Sequence, residues 1–455
     1  MKLPEDFINK YKILLKDQAD DFFKSLDHDV EKGFRLNSLK YEFKNVEYSL
    51  DSPIPFIKNG YYGAIQGNSL EHQSGYVYSQ DISAMYVGEV VDAQEGDKVL
   101  DLCAAPGGKS THIAQQLKNS GLLVSNEINH KRAEILVENL ERFGAHNVII
   151  LNEEPVNIAK TFTSFFNKVV VDAPCSGEGM FRKDHNAVKY WHKNYPTECA
   201  IRQKQILTEA IKTLKPGGEL IYSTCTFAPE EDEQVVEWIL KNYPEFELVD
   251  IPKYAGMDAG NPDFGNGNLE LTKTVRLMPH HFKGEGQFVA KLKLKEKIIE
   301  TKKAKKKGKN SLNITNEQLQ YFEKLTNELG TTWPKISKKD LKVYDNHLYL
   351  YKQDWPDISK LKFMRPGIYL GEFKKKRFEP SYALALALSP LEVERKITIS
   401  KEQWEIYMTG QTLQIEQSLP NGWYLLICEE KGFSFGKLVG NTIKNFIPKG
   451  LRFRK

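Results

Sequence analysis

Two short cysteine segments carry the first chemical signal in this chain. One is Asp172-Ala-Pro-Cys-Ser-Gly177 and the other Ser223-Thr-Cys-Thr226, and each follows an apolar run of strand character. A lone cysteine is usually a small buried hydrophobe. In an open parallel sheet, however, the carboxyl ends of neighbouring strands face one crevice. Asp172, Cys175 and Cys225 are therefore expected to share that crevice, two thiols beside one carboxylate. The thiolate form of cysteine is a nucleophile, so the constellation suits covalent catalysis.

A third segment, residues 101–110, reads Asp-Leu-Cys-Ala-Ala-Pro-Gly-Gly-Lys-Ser between a strand and a helix. Small residues at such a turn let backbone N–H groups approach a ligand closely. Two ligands compete for it. A phosphate loop needs Gly-x-x-x-x-Gly-Lys-Ser/Thr. Gly108, Lys109 and Ser110 fit its end, but Cys103 stands where the first glycine belongs. The other reading is a loop for the amino-acid end of S-adenosylmethionine, built from Cys103, Ala104, Ala105, Pro106, Gly107, Gly108 and Lys109, with Cys103 packing inside it. Glu127, at the end of the next strand, supports this second reading, because a carboxylate there can bind both hydroxyls of a ribose. After the third strand, Asn152 or Glu154 is placed to reach an adenine amino group. Cys199 and Cys428 lack such context and read as structural. No Cys-x-x-Cys or paired histidine supports a metal site, so none is expected.

The elements that must position these groups follow from the apolar pattern. Strands are expected at 98–102, 122–126, 148–151, 168–172 and 219–223, with a further strand at 287–294 closing the domain. Their alternation with amphipathic helices predicts an α/β domain with a mostly parallel sheet. Before it, Phe7, Ile8, Tyr11, Leu14 and Leu15 recur at helical spacing. The chain has 455 residues, enough for about three domains. The reading divides it into an N-terminal segment (1–88), the α/β domain (89–294), a Lys-rich linker (295–312) and two small modules (313–390 and 391–455). Net charge is +4, yet residues 291–310 hold ten Lys and two Glu, so any attraction for a polyanion is local. Five cysteines are an odd number and no disulfide framework, which reads as reduced, cytoplasmic chemistry. The first residues lack the apolar run of a signal peptide, and no stretch approaches a membrane span of about 18 apolar residues.

Taken together, residues 101–110, 172–177 and 223–226 resemble the RNA cytosine-5 methyltransferase family, and within it the bacterial RsmF-type branch acting on small-subunit ribosomal RNA. Further matches are Arg35-Leu-Asn37, Gln80-Asp-Ile-Ser-Ala-Met85, Arg276-Leu-Met-Pro-His280 and Gly284-Glu-Gly-Gln-Phe288. Gly422-Trp423 and residues 444–452 look like the family's appended PUA-like module. The resemblance covers nearly the whole chain. It implies a Rossmann-like S-adenosylmethionine methyltransferase domain, an N-terminal RNA-recognition segment, and C-terminal RRM-like and PUA-like α+β modules. It also implies that Cys225 attacks position 6 of cytosine, because RNA enzymes of this family place the nucleophile in the later Thr-Cys motif, where DNA enzymes use Pro-Cys. Cys175 then assists release, Asp172 contacts the base or the cofactor's side, and Lys109 stabilises developing charge. Glu154 matches by spacing a position where the family usually has Asp. The implied partner is ribosomal RNA or the small subunit, met by a cytoplasmic monomer without metal or membrane. Arg35, Lys58 and the basic groups at 374–377 and 449–455 are candidate phosphate contacts. The same chemistry on transfer RNA is the alternative substrate. A non-catalytic RNA-binding assembly factor predicts loss of Cys225 or of the loop, and both are present.

Overall fold

The computed structural model describes residues 3–296, 313–331, 333 and 337–454. The expected Lys-rich linker falls, from residue 297 on, outside the described residues. Among the described residues the central element is a ten-stranded mixed sheet. Its parallel heart runs Val148–Leu151, Leu122–Asn126, Lys98–Asp101, Phe166–Asp172, Leu214–Thr224. Alternate residues of each strand feed two cores. Leu100, Val169 and Val171 join one, and Val99 and Val170 the other. Helices cover both faces, which is why these strands read as continuous apolar runs. From Lys98–Asp101 the chain winds outward twice, then crosses back to Phe166–Asp172 on the other side. That reversal opens a crevice at the carboxyl ends of these two strands.

The expected runs at 122–126, 148–151 and 287–294 match strands residue for residue. Two others begin earlier than expected, at Phe166 and at Leu214. Gln287–Leu294, the last strand of the domain in chain order, lies inside the sheet rather than at its edge. It pairs antiparallel with Leu214–Thr224, and beyond it lie Val275–Leu277, Asp258–Ala259 and Phe246–Val249. The opposite edge gains a strand from far along the chain, where Phe363–Arg365 pairs antiparallel with Val148–Leu151.

The N-terminal helices Glu5–Leu15 and Ala19–Ser25 pack Phe7, Tyr11 and Phe22 against Phe181, Trp191 and Phe227. Gly33–Leu36 then forms the middle of a three-stranded sheet with Gly60–Tyr62 and Val77–Ser79.

The module at 313–390, expected to be RRM-like, is different. Leu341–Tyr344, His347–Leu350, Ile368–Lys374 and Arg377–Pro380 make an antiparallel meander in chain order, with the helix Asn316–Leu329 before it. Asp345 and Asn346, both at positive φ, close the first hairpin with a two-residue turn, and among the described residues no helix lies between any two of the four strands. The last module is a five-stranded sheet centred on Gly422–Cys428 and Lys431–Val439, with the helix Lys401–Met408. The two modules share one apolar cluster, in which Phe322 and Leu348 meet Leu425 and Phe435.

Candidate active site

The loop after Lys98–Asp101 turns sharply through Gly107, whose φ of 118° is left-handed. A side chain there would be strained and would also crowd Leu136, 3.2 Å from the Cβ position. The turn starts the helix Gly108–Leu117, so free backbone N–H groups face the crevice. Asp101 is buried. Its Oδ2 accepts from Ser110 at 2.7 Å and its Oδ1 has no partner among the described residues. Burial pushes this carboxyl up to about 7. Cys103 packs against the sheet core, and burial holds its thiol far above the ordinary value, as a packing role requires.

Arg35 is not a phosphate contact. It is fully buried and donates to Gln80 Oε1 (2.8 Å), Gln115 Oε1 (3.1 Å), Thr111 Oγ1 (2.8 Å) and the carbonyl of Gly108 (3.0 Å). Its charge class suggested solvent, but its partners anchor the first turn of the loop's helix to the N-terminal sheet.

Glu127 is also buried. It accepts from the backbone N–H of Asn129 (2.8 Å) and lies 3.3 Å from Arg132. The Asn152 amide is spent on the carbonyls of Glu127 (2.7 Å) and Ile128 (2.9 Å), fixing that turn. Glu154 stands exposed at the start of the helix Pro155–Thr161 and caps nothing. Between them Glu153, which the sequence did not single out, accepts from the N–H of Lys362 (3.0 Å) on the incoming edge strand. Directly after Glu127, Ile128 is 62% exposed, an apolar side chain left open to solvent at the strand end beside the loop.

On the other side of the crevice Lys109 Nζ donates to Asp172 Oδ2 at 2.7 Å, and Ser223 Oγ to Asp172 Oδ1 at 2.7 Å. Burial alone would lower the Lys109 pKa, but Asp172 more than offsets it and the ammonium ends above its ordinary value. Asp172 and Ser223 are register partners in the parallel ladder, so Cys175 and Cys225, just past them, are brought together. Their sulfurs are 3.1 Å apart, and both are free thiols of intermediate exposure. The hydrogen bond with Cys225, and then burial, hold the Cys175 thiol well above its usual range, so it keeps its proton. Ser176, next to Cys175, is bound through both its N–H and its hydroxyl by Glu231.

The residues around the loop suit S-adenosylmethionine. They offer free helix-start N–H groups and the unpartnered Asp101 Oδ1 at one end, and an acidic strand end with an apolar neighbour at the other. Among the described residues, no helix is long and apolar enough to cross a membrane, and no cluster of three or more His, Cys, Asp or Glu could hold a metal ion.

Family models match in four successive stretches. Residues 3–82 match the N-terminal domain of 16S rRNA methyltransferase RsmF, and 89–293 the 16S rRNA methyltransferase RsmB/F model. Residues 321–388 match the RsmF rRNA methyltransferase first C-terminal domain, and 394–453 the methyltransferase RsmF PUA domain. The ribosomal RNA small subunit methyltransferase F of Vibrio cholerae is 30% identical over 477 residues, covering 99% of this chain and 98% of its own length. That of Shewanella piezotolerans is 30% identical over 476 residues, covering 98% and 97%. Among solved structures, a methyltransferase homologue from Pyrococcus horikoshii is 29% identical with a TM-score of 0.54, over 63% of this chain and 93% of that one. NSun6 from Pyrococcus horikoshii with SFG shares the fold, with a TM-score of 0.56 at 21% identity over 65% and 99%.

Proposed function

Because this chain belongs to the 16S rRNA methyltransferase RsmB/F family, we propose a division of labour in its crevice: Cys225 attacks the base, Cys175 assists release, and Asp172 with Lys109 manages charge. The reaction transfers a methyl group from S-adenosylmethionine to position 5 of cytosine in small-subunit ribosomal RNA. The observation that carries the assignment is the pair of sulfurs 3.1 Å apart beside the Lys109–Asp172 ion pair.

Bound S-adenosylmethionine supplies an electrophilic methyl group. Position 5 of cytosine is too weak a nucleophile to take it unaided. The Cys225 thiolate adds to C6, forming a C–S bond and pushing the ring electrons toward C5. Residues 103–109 and Glu127 would hold S-adenosylmethionine so that its methyl group is available to the electron-rich C5 that the Cys225 adduct creates. The proton on C5 then passes to solvent, its electrons restore the C5–C6 double bond, and the C–S bond breaks to return the thiolate. Cys175, still protonated and in contact with the departing sulfur, hydrogen-bonds to it and favours that last step. Asp172, itself fixed by Ser223, holds the Lys109 ammonium beside the base, and that positive charge offsets the electron density the ring gains on addition.

Glu127 would bind the ribose hydroxyls, and Glu154 or Asn152 would reach the adenine amino group. Residues 103–109 receive the amino-acid end. The N-terminal segment and the two C-terminal modules bind RNA around the crevice, since the target base must be flipped out to meet Cys225. The enzyme works in the cytoplasm, a reading supported by its five free thiols, and acts on its RNA as a monomer that needs no metal.

Cys225→Ala is expected to abolish methylation. Cys175→Ala is expected to form the bond to C6 but release it poorly, so a protein–RNA species stable on denaturing gels accumulates. Adduct with Cys225→Ala and none with Cys175→Ala would reverse the roles. Bisulfite sequencing of ribosomal and transfer RNA from a deletion strain checks the substrate.

A further inference from the structure

Glu178 lies three residues after Cys175, in the short turn Glu178–Met180, and is completely buried. Donors reach its carboxylate from three distant parts of the chain. Thr226 Oγ1 (3.0 Å), the backbone N–H of Phe227 (3.3 Å) and the Tyr11 hydroxyl all bond to Oε2, and Trp191 Nε1 donates to Oε1 at 2.8 Å. The cysteine segments are also joined directly. Gly179 N–H donates to the carbonyl of Cys225 at 3.0 Å, and the hydroxyls of Ser176 and Thr226 meet at 2.8 Å. The residues that follow each sulfur are thus tied across the gap, and the longest-range tie comes from the first helix.

We propose that Glu178 is a positioning residue for the reaction, and that the helix Glu5–Leu15, through the Tyr11 hydroxyl, is part of the brace that sets the two sulfurs' separation. The proposal rests on the roles given above to Cys225 and Cys175. An indole N–H and a backbone N–H can only donate, so both oxygens of residue 178 must accept; a carboxylate does this and a glutamine amide cannot. Tyr11 remains a donor, because burial, and then the neighbouring Glu178, hold its hydroxyl well above the ordinary value. Aromatic packing alone would seat the helix, since Phe7 meets Phe181 at 5.2 Å and Trp191 edge-on at 5.4 Å. The Tyr11 hydroxyl therefore adds direction rather than adhesion. Cys225 must meet C6 while Cys175 stays in contact with it, and a shift of about 1 Å in such a pair costs on the order of a hundredfold in rate.

The test uses full-length Tyr11→Phe and Glu178→Gln, with S-adenosylmethionine and transcribed small-subunit ribosomal RNA. A second RNA carries 5-fluorocytosine, which has no proton to lose at position 5 and so traps the adduct. Tyr11→Phe keeps the ring packing and removes one hydroxyl. Its kcat is expected to fall about tenfold, with KM for S-adenosylmethionine within about twofold of the parent and adduct formation slowed in proportion. Glu178→Gln should lose more, in the same pattern. If Glu178→Gln does not fold, Tyr11→Phe decides alone. A Tyr11→Phe kcat within about twofold of the parent, or a KM that rises in step with the loss, overturns the brace. A parent that forms no adduct on the fluorinated RNA overturns the cysteine assignment, and the brace with it.

Discussion

Cys175 meets another sulfur at 3.1 Å, and the two thiols differ in what surrounds them. Cys175 is followed by Ser176, which is locked to the buried Glu231, and that carboxyl carries a measurable consequence. Burial pushes it up to about 8, the charge of Glu178 adds to this, and the Ser176 and Gln203 donors only partly offset the rise. In the unfolded chain it titrates near the ordinary value of about 4.3. A carboxyl raised on folding gives its full stability below the unfolded value and loses it as pH climbs through the folded one. Asp101 and Glu285, both pushed up to about 7 by burial, act in the same sense. Thermal stability should therefore fall from about pH 4.5 to about pH 8 and level off above it, and Glu231→Gln should flatten part of that fall. An equally steep decline in the variant, followed by calorimetry, would remove Glu231 from this account. Cys175, Cys225, Asp172 and Glu127 were legible from sequence because strand ends in an open sheet converge whatever the details. Arg35, Glu178 and Glu231 were not. Their partners are distant in sequence (Tyr11 is 167 residues from Glu178), and charged side chains are ordinarily solvated.

Strands were the most legible elements, because burial on both faces writes them as unbroken apolar runs. Leu214–Thr224 began earlier than expected because Pro216, Gly217 and Gly218 resemble a turn, although the ladder from Phe166 and Lys168 continues past them. Helix starts depend on caps. The helix Gly108–Leu117 has a left-handed glycine as its cap and no side-chain cap hydrogen bond, so its first turn relies on what binds it from outside. Arg35 supplies that support through Gly108 and Thr111. Arg35→Lys retains the charge but cannot reproduce the fork of donors. It should cost about 2–3 kcal/mol of stability. Cofactor affinity should weaken too, because the loop loses its outside anchor. Calorimetry with S-adenosylhomocysteine reads this directly, and unaltered affinity in a folded Arg35→Lys protein would show that the loop holds its shape alone.

Across the whole molecule, charge is distributed by module. The groove between the meander and the last sheet has a volume of about 350 Å³ and is lined by Lys324, Lys376, Arg377 and Lys437. Neutralised phosphates release counterions, so RNA affinity should fall with salt. Reversing Lys324, Lys376 and Lys437 together to Glu should weaken RNA binding and reduce the salt slope while leaving cofactor affinity unchanged. Filter binding over a salt series measures both, and an unchanged slope would exclude the groove from the RNA path. The meander was the least legible part. Its register turns on Asp345 and Asn346, two residues whose left-handed geometry outweighs the surrounding pattern. Deleting the whole of 313–455 would be a poor probe of RNA recognition, because Phe363–Arg365 is stitched into the catalytic sheet and Arg365 pairs with Glu141 at 2.6 Å. His146 and Ala387 meet across the same seam at 3.0 Å. Strand pairing and side-chain contacts across the seam do not depend on the peptide link between the two halves. Residues 1–296 and 313–455, produced as separate polypeptides in one cell, should therefore co-purify and regain methylation that neither half has alone, and halves that purify apart would show that the link is needed.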